Sequence, residues 1–372
     1  MKITEIETIP LRLPFAHTFT ISQGPGREFI DTLIVRVHTD QDLVGIGETQ
    51  AWRRQGSAET IWNLVRTIKD YFEPAIVGRS PFDIAGILKT LDATLSNTLY
   101  PQAAVADALY DIAGKAVGLP VHKLLGGECR EQVRVCGLLS LRPTVEELLD
   151  DAQRFHDRGF RHFGLKIGVD PRRDLANVVA LRNRFGDGVV IRVDANGALS
   201  YDAALSLLKK LEPYDIDCAE QPIAIWDLDG LAALARATSI PIMADESVST
   251  DHSLLEVIRR RAATVVQTKI AKNGGMYRVW RLWALASAAG MRIYPGNHPS
   301  TSVATAAVAH LCAAWPEPLM EGVFAVGVCG ALAGDVVTAP LAPENGEIPV
   351  PKGPGLGVEL DAEKIARFRI DR

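Results

Sequence analysis

The N-terminal part of the chain alternates apolar and polar residues in two stretches, Ile3 to Leu13 and Thr32 to Thr39. The segment Gln23-Gly24-Pro25-Gly26 lies between them and is typical of a turn. Alternation with a period of two, bounded by Gly and Pro, predicts antiparallel strands. Three helical stretches follow, namely Ala58 to Tyr71, Asp83 to Leu95 and the alanine-rich Pro101 to Val117. The pattern predicts an α+β unit over residues 1–125.

After residue 125 the pattern changes to short β-rich runs separated by helical stretches, which is typical of parallel βαβ units. The runs are Gln132 to Ser140, His162 to Ile167, Val189 to Val193, Asp217 to Glu220, Ile242 to Ala244, Thr264 to Ile270, Met291 to Tyr294 and Leu319 to Val323. Eight strand and helix units in about 190 residues match the size of a (β/α)8 barrel. We therefore predict an α/β protein with a barrel over residues 126–322 and a C-terminal segment, 323–372, that returns to the cap.

Length and composition are consistent with an enzyme-sized globular chain. The 372 residues are 47% hydrophobic and 23% charged, which is enough to bury a large core. Forty basic and 45 acidic side chains give a net charge of −5, so long-range attraction to nucleic acid or to anionic lipid is not expected.

Compartment and redox state can be inferred from the same sequence. There is no apolar run of about 18 residues, and the first ten residues, MKITEIETIP, carry acids, so we expect a cytoplasmic protein. The cysteines are odd in number, scattered and without CxxC spacing, which predicts buried free thiols: Cys129, Cys136, Cys218, Cys312 and Cys329.

Charged residues recur at the carboxyl ends of successive predicted strands. They are Lys166, Asp194, Glu220, Asp245 and Lys269, and the gaps between them are 28, 26, 25 and 24 residues. In a barrel the carboxyl ends of all strands form one ring, where the active sites of such barrels lie. One residue of this kind is usually a helix cap or a surface ion-pair partner, but five in phase predict an active site.

The residue types at these positions indicate a metal-assisted proton transfer. Asp194, Glu220 and Asp245 would repel one another at close range, so a cation between them is expected. Oxygen ligands favour Mg²⁺ over Ca²⁺ or Zn²⁺, and Mn²⁺ could substitute. Lys166 and Lys269 flank these acids, and burial together with the metal charge is expected to lower their pKa values enough for base catalysis. Together they could move a proton α to a carboxylate through a metal-stabilised enolate.

Other polar residues near strand ends are weaker candidates. We interpret Lys272 as a structural charge, and His162 and His310 as histidines without a catalytic role. His298, after the seventh strand, and Glu321, at the end of the eighth, are candidates for substrate contacts.

A set of short motifs resembles one known family, the mandelate racemase/muconate lactonizing enzyme group of the enolase superfamily. In chain order the motifs are Asp107-Ala108-Leu109-Tyr110-Asp111, Gly118-Leu119-Pro120, Leu124-Leu125-Gly126-Gly127, Val193-Asp194-Ala195-Asn196-Gly197, Ala219-Glu220-Gln221-Pro222, Ala244-Asp245-Glu246-Ser247, Lys269-Ile270-Ala271-Lys272-Asn273-Gly274-Gly275 and Gly353-Pro354-Gly355-Leu356-Gly357. The resemblance implies Mg²⁺ bound by Asp194, Glu220 and Asp245, a small carboxylate substrate and association into homo-oligomers. The lysine on the sixth strand resembles the muconate lactonizing branch.

Two departures from that branch stand out. It usually has two lysines on the second strand, whereas here Gly164 occupies the first of those positions and Lys166 the second. Asn297-His298 also replaces an acidic residue that is common after the seventh strand. Both departures indicate a substrate other than muconate.

Specificity in this family resides in two cap loops, which match residues 14–29 and 49–56. Phe15, Phe19 and Ile21 are the apolar candidates there, and the polar candidates are His17, Arg27, Arg53 and Arg54. We expect Phe19 and His17, together with Asn196 of the Asp194 motif, to contact the substrate.

Several reactions share the predicted first step. Lysines on two faces favour racemisation or epimerisation of an amino-acid derivative, while cycloisomerisation and dehydration of a hydroxy acid or a hydroxyproline are alternatives. A different mechanistic class, a Schiff-base lyase with Lys269 as the nucleophile, leaves the three carboxylates without a function. A binding protein that retains the fold without catalysis is a third possibility.

Overall fold

The N-terminal unit begins with a three-stranded antiparallel sheet in a computed structural model that describes residues 1–22, 24–53 and 57–371. Its strands are β1 (Ile3–Phe19), β2 (Arg27–Thr39) and β3 (Val44–Gln50), in the order β1-β2-β3. The antiparallel pairing predicted from the alternating stretches is thus found, although Gln23 of the predicted turn lies outside the described residues.

Helices cover one face of this sheet. They are α1 (Ile61–Arg66), which continues as a π-helical turn (Thr67–Phe72), α2 (Glu73–Ile76), α3 (Ile84–Thr94), α4 (Leu99–Val117) and α5 (Val121–Leu124). Contact between β3 and α4 is unusually close: a Cβ on Gly45 or Gly47 would lie 2.0 Å from a carbonyl oxygen of Ala108 or Ala104. The alanines of α4 thus allow its backbone to pack directly on β3, and α4 ends at Gly118 with φ 69°.

Seven parallel strands form the barrel sheet. They are β5 (Gly137–Leu139), β6 (His162–Lys166), β7 (Val190–Asp194), β8 (Ile216–Glu220), β9 (Ile242–Ala244), β10 (Val265–Lys269) and β11 (Arg292–Gly296), and they follow one another in sequence order. The helices between and after them are α6 (Val145–Asp157), α7 (Pro171–Phe185), α8 (Tyr201–Leu211), α9 (Leu228–Ala237), α10 (Asp251–Arg260), α11 (Met276–Ala288) and α12 (Ser302–Ala314).

The eighth predicted strand, residues 319–323, is not a regular strand, but its backbone closes the ring. Val323 donates to Arg134 O at 2.7 Å, and Phe324 donates to Pro295 O at 3.1 Å, so the segment bonds to both sides. The first predicted run, residues 132–140, is divided. Its start, β4 (Gln132–Arg134), pairs with β12 (Glu347–Pro349), and only β5 enters the barrel.

The C-terminal segment returns to the cap, as the sequence predicted. After β12 the chain forms α13 (Ala362–Phe368), and the backbone of Ile370 then donates to Pro10 O at 3.1 Å. Four cysteines are buried free thiols, whereas Cys129 is exposed, contrary to the prediction for that residue. Within the described ranges, no helix has the length and apolar character needed to cross a membrane.

Candidate active site

Five charged side chains meet at the carboxyl ends of the barrel strands. Lys166, Asp194, Glu220 and Lys269 are the last residues of β6, β7, β8 and β10, and Asp245 directly follows β9. Parallel pairing aligns Lys166 with Asp194 and Asp194 with Glu220. The ring expected from the 24 to 28 residue spacing is therefore present.

Within this ring the charges are paired and almost fully buried. Lys166 Nζ contacts Asp194, and Lys269 Nζ contacts Asp245 while lying 3.9 Å from Glu220 Oε1. Lys272 Nζ lies 2.8 Å from Asp245 Oδ1, so this lysine is also part of the site. All five residues of the predicted ring are at most 7% exposed.

The pairing with carboxylates raises the pKa values of both candidate bases. Burial by itself would lower the pKa of Lys166, but Asp194 and Glu220 raise it above its usual value. Asp245 and Glu220 do the same for the pKa of Lys269. Each ammonium group is held by carboxylates, which raises its pKa, whereas the expectation of a lowered pKa includes the charge of a bound metal.

Glu220 has a more distant lysine partner than Asp194 or Asp245, since Lys269 Nζ lies 3.9 Å from its Oε1. Burial raises its pKa well above the usual value, and repulsion from Asp194 and Asp245 raises it further. Three buried carboxylates on adjacent strands are a donor set that suits a hard divalent cation. Among the described residues, no three acidic, histidine or cysteine side chains surround one point, and Asp194 and Asp245 face lysines.

Loops behind the ring hold the carboxylates in position. Asn196 Nδ2 donates to Asp194 Oδ2 at 3.2 Å and to Glu246 Oε1 at 3.1 Å, and its backbone has φ 46°. Gln221, with φ 35°, donates from Nε2 to Ser247 Oγ at 2.9 Å and accepts from the backbone N–H of Asp245. Both residues adopt left-handed backbone conformations, which are often found where a site is tightly constrained.

Gly164, the first departure from the muconate lactonizing pattern, faces a filled space. A Cβ at this position would lie 3.2 Å from Cys136 Sγ and 3.8 Å from the Phe324 ring. That ring lies between the two candidate bases, 5.7 Å from Lys166 Nζ and 5.8 Å from Lys269 Nζ. A side chain at position 164 would therefore press on the Cys136 thiol and lie at ordinary van der Waals distance from the Phe324 ring.

A cavity of about 310 Å³ opens onto Lys166, Lys269 and Lys272. Cap and barrel both contribute to its lining, which comprises Phe19, Ile21, Trp52, Tyr100, Lys166, Asn196, Ile225, Trp226, Glu246, Ser247, Ser249, Lys269, Lys272, His298, Pro299 and Phe324. A larger cleft of about 760 Å³ lies beside it and shares Tyr100, Ser249 and Lys272. The smaller cavity is the candidate active site because it contains both Lys166 and Lys269.

Three of the predicted substrate contacts line this cavity. Phe19 is buried and stacks on Phe15, with ring centroids 5.0 Å apart. His298 packs between Trp52 and Tyr100, at centroid distances of 4.5 and 5.6 Å. Burial and the nearby Lys269 lower the pKa of His298 well below its usual value, so the ring is neutral. Asn196 is the third.

The other two predicted contacts lie elsewhere. Glu321 is at the opposite end of the barrel, where it forms an ion pair with Arg134 at 2.9 Å. Its side chain is 56% exposed because the eighth segment enters the ring only at Val323. His17 is exposed and lines a different cavity, beside Arg142 and Arg158.

The remaining cap candidates are divided between cavity and surface. Ile21 lines the candidate site, the Arg27 guanidinium lies 4.8 Å from the centroid of the Trp52 ring, and Arg53 is exposed. Arg54 lies outside the described residues.

Sequence reasoning missed most of the aromatic lining. Phe324 directly follows the last predicted strand, and Trp226 follows the Glu220 motif. Both residues thus come soon after a predicted strand end, and this position could have identified them as lining residues. Trp52 lies in the 49–56 loop that the family resemblance assigns to specificity, whereas Tyr100 has no such signal because it reaches the cavity only through packing of the cap on the barrel.

Comparisons with known proteins agree with this architecture. Residues 7–126 match the family model "Mandelate racemase / muconate lactonizing enzyme, N-terminal domain", and residues 147–365 match "Enolase C-terminal domain-like". The chain is 30% identical to N-succinyl-L-Arg/Lys racemase of Bacillus cereus over 100% of this chain and 98% of the relative. It is 33% identical to chloromuconate cycloisomerase of Cupriavidus pinatubonensis, over 93% of this chain and 95% of the relative.

The crystal structure of the Bacillus cereus N-succinyl Arg/Lys racemase superposes with a TM-score of 0.94 at 29% identity, covering 100% of this chain and 98% of that one. The fold, the ring of strand-end residues and both family models lead to one assignment. The chain is an enzyme of the mandelate racemase/muconate lactonizing enzyme group of the enolase superfamily.

Proposed function

We propose that this enzyme removes the proton α to the carboxylate of a small acid and returns a proton to the opposite face, as a racemase or epimerase of an amino-acid derivative. The carrying observation is the placement of Lys166 and Lys269 on the second and sixth strands, across an eight-membered ring. Both ammonium groups lie at nearly the same distance from the Phe324 ring, 5.7 and 5.8 Å. A substrate between them has one lysine on each face.

Asp194, Glu220 and Asp245 would hold Mg²⁺, or Mn²⁺ in its place, because their oxygens match the preference of a hard cation. When bound, the ion supplies positive charge that stabilises the negative charge developing on the substrate carboxylate and occupies the acids that otherwise hold the lysines. The three carboxylates lie between the two candidate bases in the strand order, and this order supports a substrate carboxylate held between Lys166 and Lys269.

The lysines perform the proton transfer itself. One lysine, as a neutral amine, takes the α-proton, and the other, as an ammonium group, donates a proton to the opposite face. Their roles exchange for the opposite enantiomer. Lys272 stays paired with Asp245, and the aromatic residues Phe19, Trp52 and Phe324 exclude water from the reacting carbon.

Substrate contacts beyond the carboxylate fall to His298, Phe19 and Asn196, which line the cavity. A neutral imidazole between two aromatic rings can exchange one hydrogen bond with an amide or a hydroxyl group.

Cycloisomerisation is the second candidate and is favoured by the 33% identity to chloromuconate cycloisomerase. Dehydration of a hydroxy acid begins with the same proton removal. A Schiff base at Lys269 would leave Asp194, Glu220 and Asp245 without a function, whereas the proton-transfer reactions use all three. The proton-transfer reactions are therefore preferred to a lyase that uses Lys269 as a nucleophile.

The test is a screen for α-proton exchange in D₂O. Purified enzyme with Mg²⁺ is incubated with N-acylated amino acids, dipeptides, sugar acids and hydroxyproline, and deuterium uptake is followed by NMR. We expect exchange at the α-carbon of at least one class, and its loss when EDTA is added. Absence of exchange across the whole panel would contradict the proposal.

A further inference from the structure

The candidate cavity is charged at its buried end and apolar at its open end. Lys166, Lys269 and Lys272 are 5%, 7% and 6% exposed, whereas Trp226 is 81% exposed. Partly buried Ile225 lies next to Trp226 in the lining. A molecule whose carboxylate reaches the lysines would therefore extend towards an apolar surface.

Trp226 is distinctive among the large apolar side chains of the described residues. It is the most exposed of those that remain exposed, ahead of Val169 at 65%, and no other member of that group lines the candidate cavity. An indole ring in water carries an apolar surface that gains stability when another apolar surface covers it. Because Trp226 lies at the mouth of the cavity, a ligand bound there would cover its indole ring.

The loop that carries Trp226 is fixed on both sides of the ring. Ile225 O accepts a hydrogen bond from Ser247 Oγ at 3.0 Å, and the backbone N–H of Asp227 donates to Ala224 O at 3.1 Å. The Asp227 side chain caps α9 by accepting from the backbone N–H of Gly230 at 2.8 Å. The indole is therefore presented from a constrained backbone, which reduces the entropy lost when a ligand binds.

We propose that Trp226 and Ile225 bind the distal part of the substrate, and that this part is a bulky, uncharged apolar group. This inference rests on the proposed function, since it assumes that the carboxylate lies at the lysine end. Among the described lining residues, the charged side chains are Glu246 and three lysines, and Glu246 is already hydrogen-bonded to Asn196. A second carboxylate covering Trp226 would lose water without gaining a partner from Trp226 or Ile225. A guanidinium would gain only the face of an exposed indole, while the three lysines of the lining repel it. The names of the two relatives above indicate charged substrates, so this enzyme would differ from both.

The test compares two ligands that differ only in the distal group, N-acetyl-L-phenylalanine and N-acetyl-L-alanine. Binding to the Mg²⁺-loaded enzyme is measured by calorimetry, and α-proton exchange is measured separately in D₂O. For Trp226→Ala we expect the Kd of N-acetyl-L-phenylalanine to rise about tenfold or more, while that of N-acetyl-L-alanine changes by less than about twofold. Trp62→Ala removes another exposed indole, on α1 and outside the cavity, and should change neither value.

The two readouts separate this inference from the proposed function. A selective loss of binding in Trp226→Ala supports the apolar subsite even if no exchange occurs, in which case the proton-transfer proposal fails alone. Exchange without selective loss overturns the subsite and leaves the proton transfer standing. Equal weakening of both ligands, binding of neither, or dissociation of an oligomer by Trp226→Ala would also overturn the subsite, the last because a second subunit would then be the cover.

Discussion

Glu48 shows how a single buried carboxylate joins the cap to the barrel. It lies on β3, yet its oxygens accept hydrogen bonds from Thr301 N at 3.0 Å, Thr301 Oγ1 at 2.7 Å and Ala304 N at 3.0 Å, at the start of α12. Thr32 Oγ1 is a fourth donor, at 2.9 Å. Burial raises the pKa of Glu48, and these hydrogen bonds oppose that rise.

Replacing this acceptor should destabilise the protein. In Glu48→Gln an amide NH₂ group would face donors that now meet an oxygen, and buried donors would be left without acceptors. We expect the free energy of unfolding to fall by about 2 kcal/mol, measured by urea denaturation. Glu28→Gln, at an exposed position of β2, is the matched control and should change it by less than about 0.5 kcal/mol. Equal stability of the two variants would contradict this account of Glu48.

At the residue scale, the sequence predicted which groups meet but not how they pair. Spacing placed Lys166 and Lys269 at strand ends, because that position depends only on the length of each βα unit. Their carboxylate partners depend on the distances between side chains at the ends of neighbouring strands, and these contacts raise the pKa values of both lysines. The prediction for Glu321 is wrong because residues 319–323 are not a regular strand, and the chain enters the ring only at Val323.

A pair of buried histidines joins two elements, the short helix α5 and the long helix α12. His122 Nδ1 and His310 Nδ1 are 3.0 Å apart, and His310 Nε2 lies 3.1 Å from Leu356 O. Because a carbonyl oxygen only accepts, His310 Nε2 is assigned as a donor, which makes its Nδ1 an acceptor from His122. His122 Nε2 is then a bare acceptor, and it is buried without a hydrogen bond from the described residues.

This pair should make stability depend on pH. Burial, together with Lys123 and Lys352, lowers the pKa of His122 from 6.5 to about 4, and burial lowers the pKa of His310 to about 4 as well. The acid facing His122 is Glu128, 4.0 Å away. Between pH 6.5 and 4 the unfolded chain binds protons that the folded chain does not, so the free energy of unfolding should fall as the pH falls through that range.

The measurement is denaturant unfolding at several pH values between 6.5 and 4. In His122→Asn the free energy of unfolding should depend less steeply on pH than in the unmodified enzyme. The difference corresponds to up to one proton fewer bound on unfolding. Parallel curves for the two proteins would show that this pair does not contribute.

At the scale of the whole molecule, the barrel and cap were predictable because hydrophobic periodicity repeats over many elements. The cavity was only partly predictable. Trp52 and Tyr100 belong to the cap and enter the active site through the docking of two units that are far apart in sequence. The alternation of apolar and polar residues within a segment does not show how the cap docks on the barrel. Strand-end residues are easier to place, because the strand ends of one barrel form a single ring.

The central claim is that two lysines act on opposite faces of one α-carbon. Its most direct test measures α-proton exchange in D₂O, with Mg²⁺, for each enantiomer of a substrate found by screening. We expect Lys166→Ala to lose exchange of one enantiomer by at least about 100-fold while still exchanging the other, and Lys269→Ala to show the reverse preference. If both variants lose exchange of both enantiomers equally, or if either retains full exchange of both, the account is contradicted.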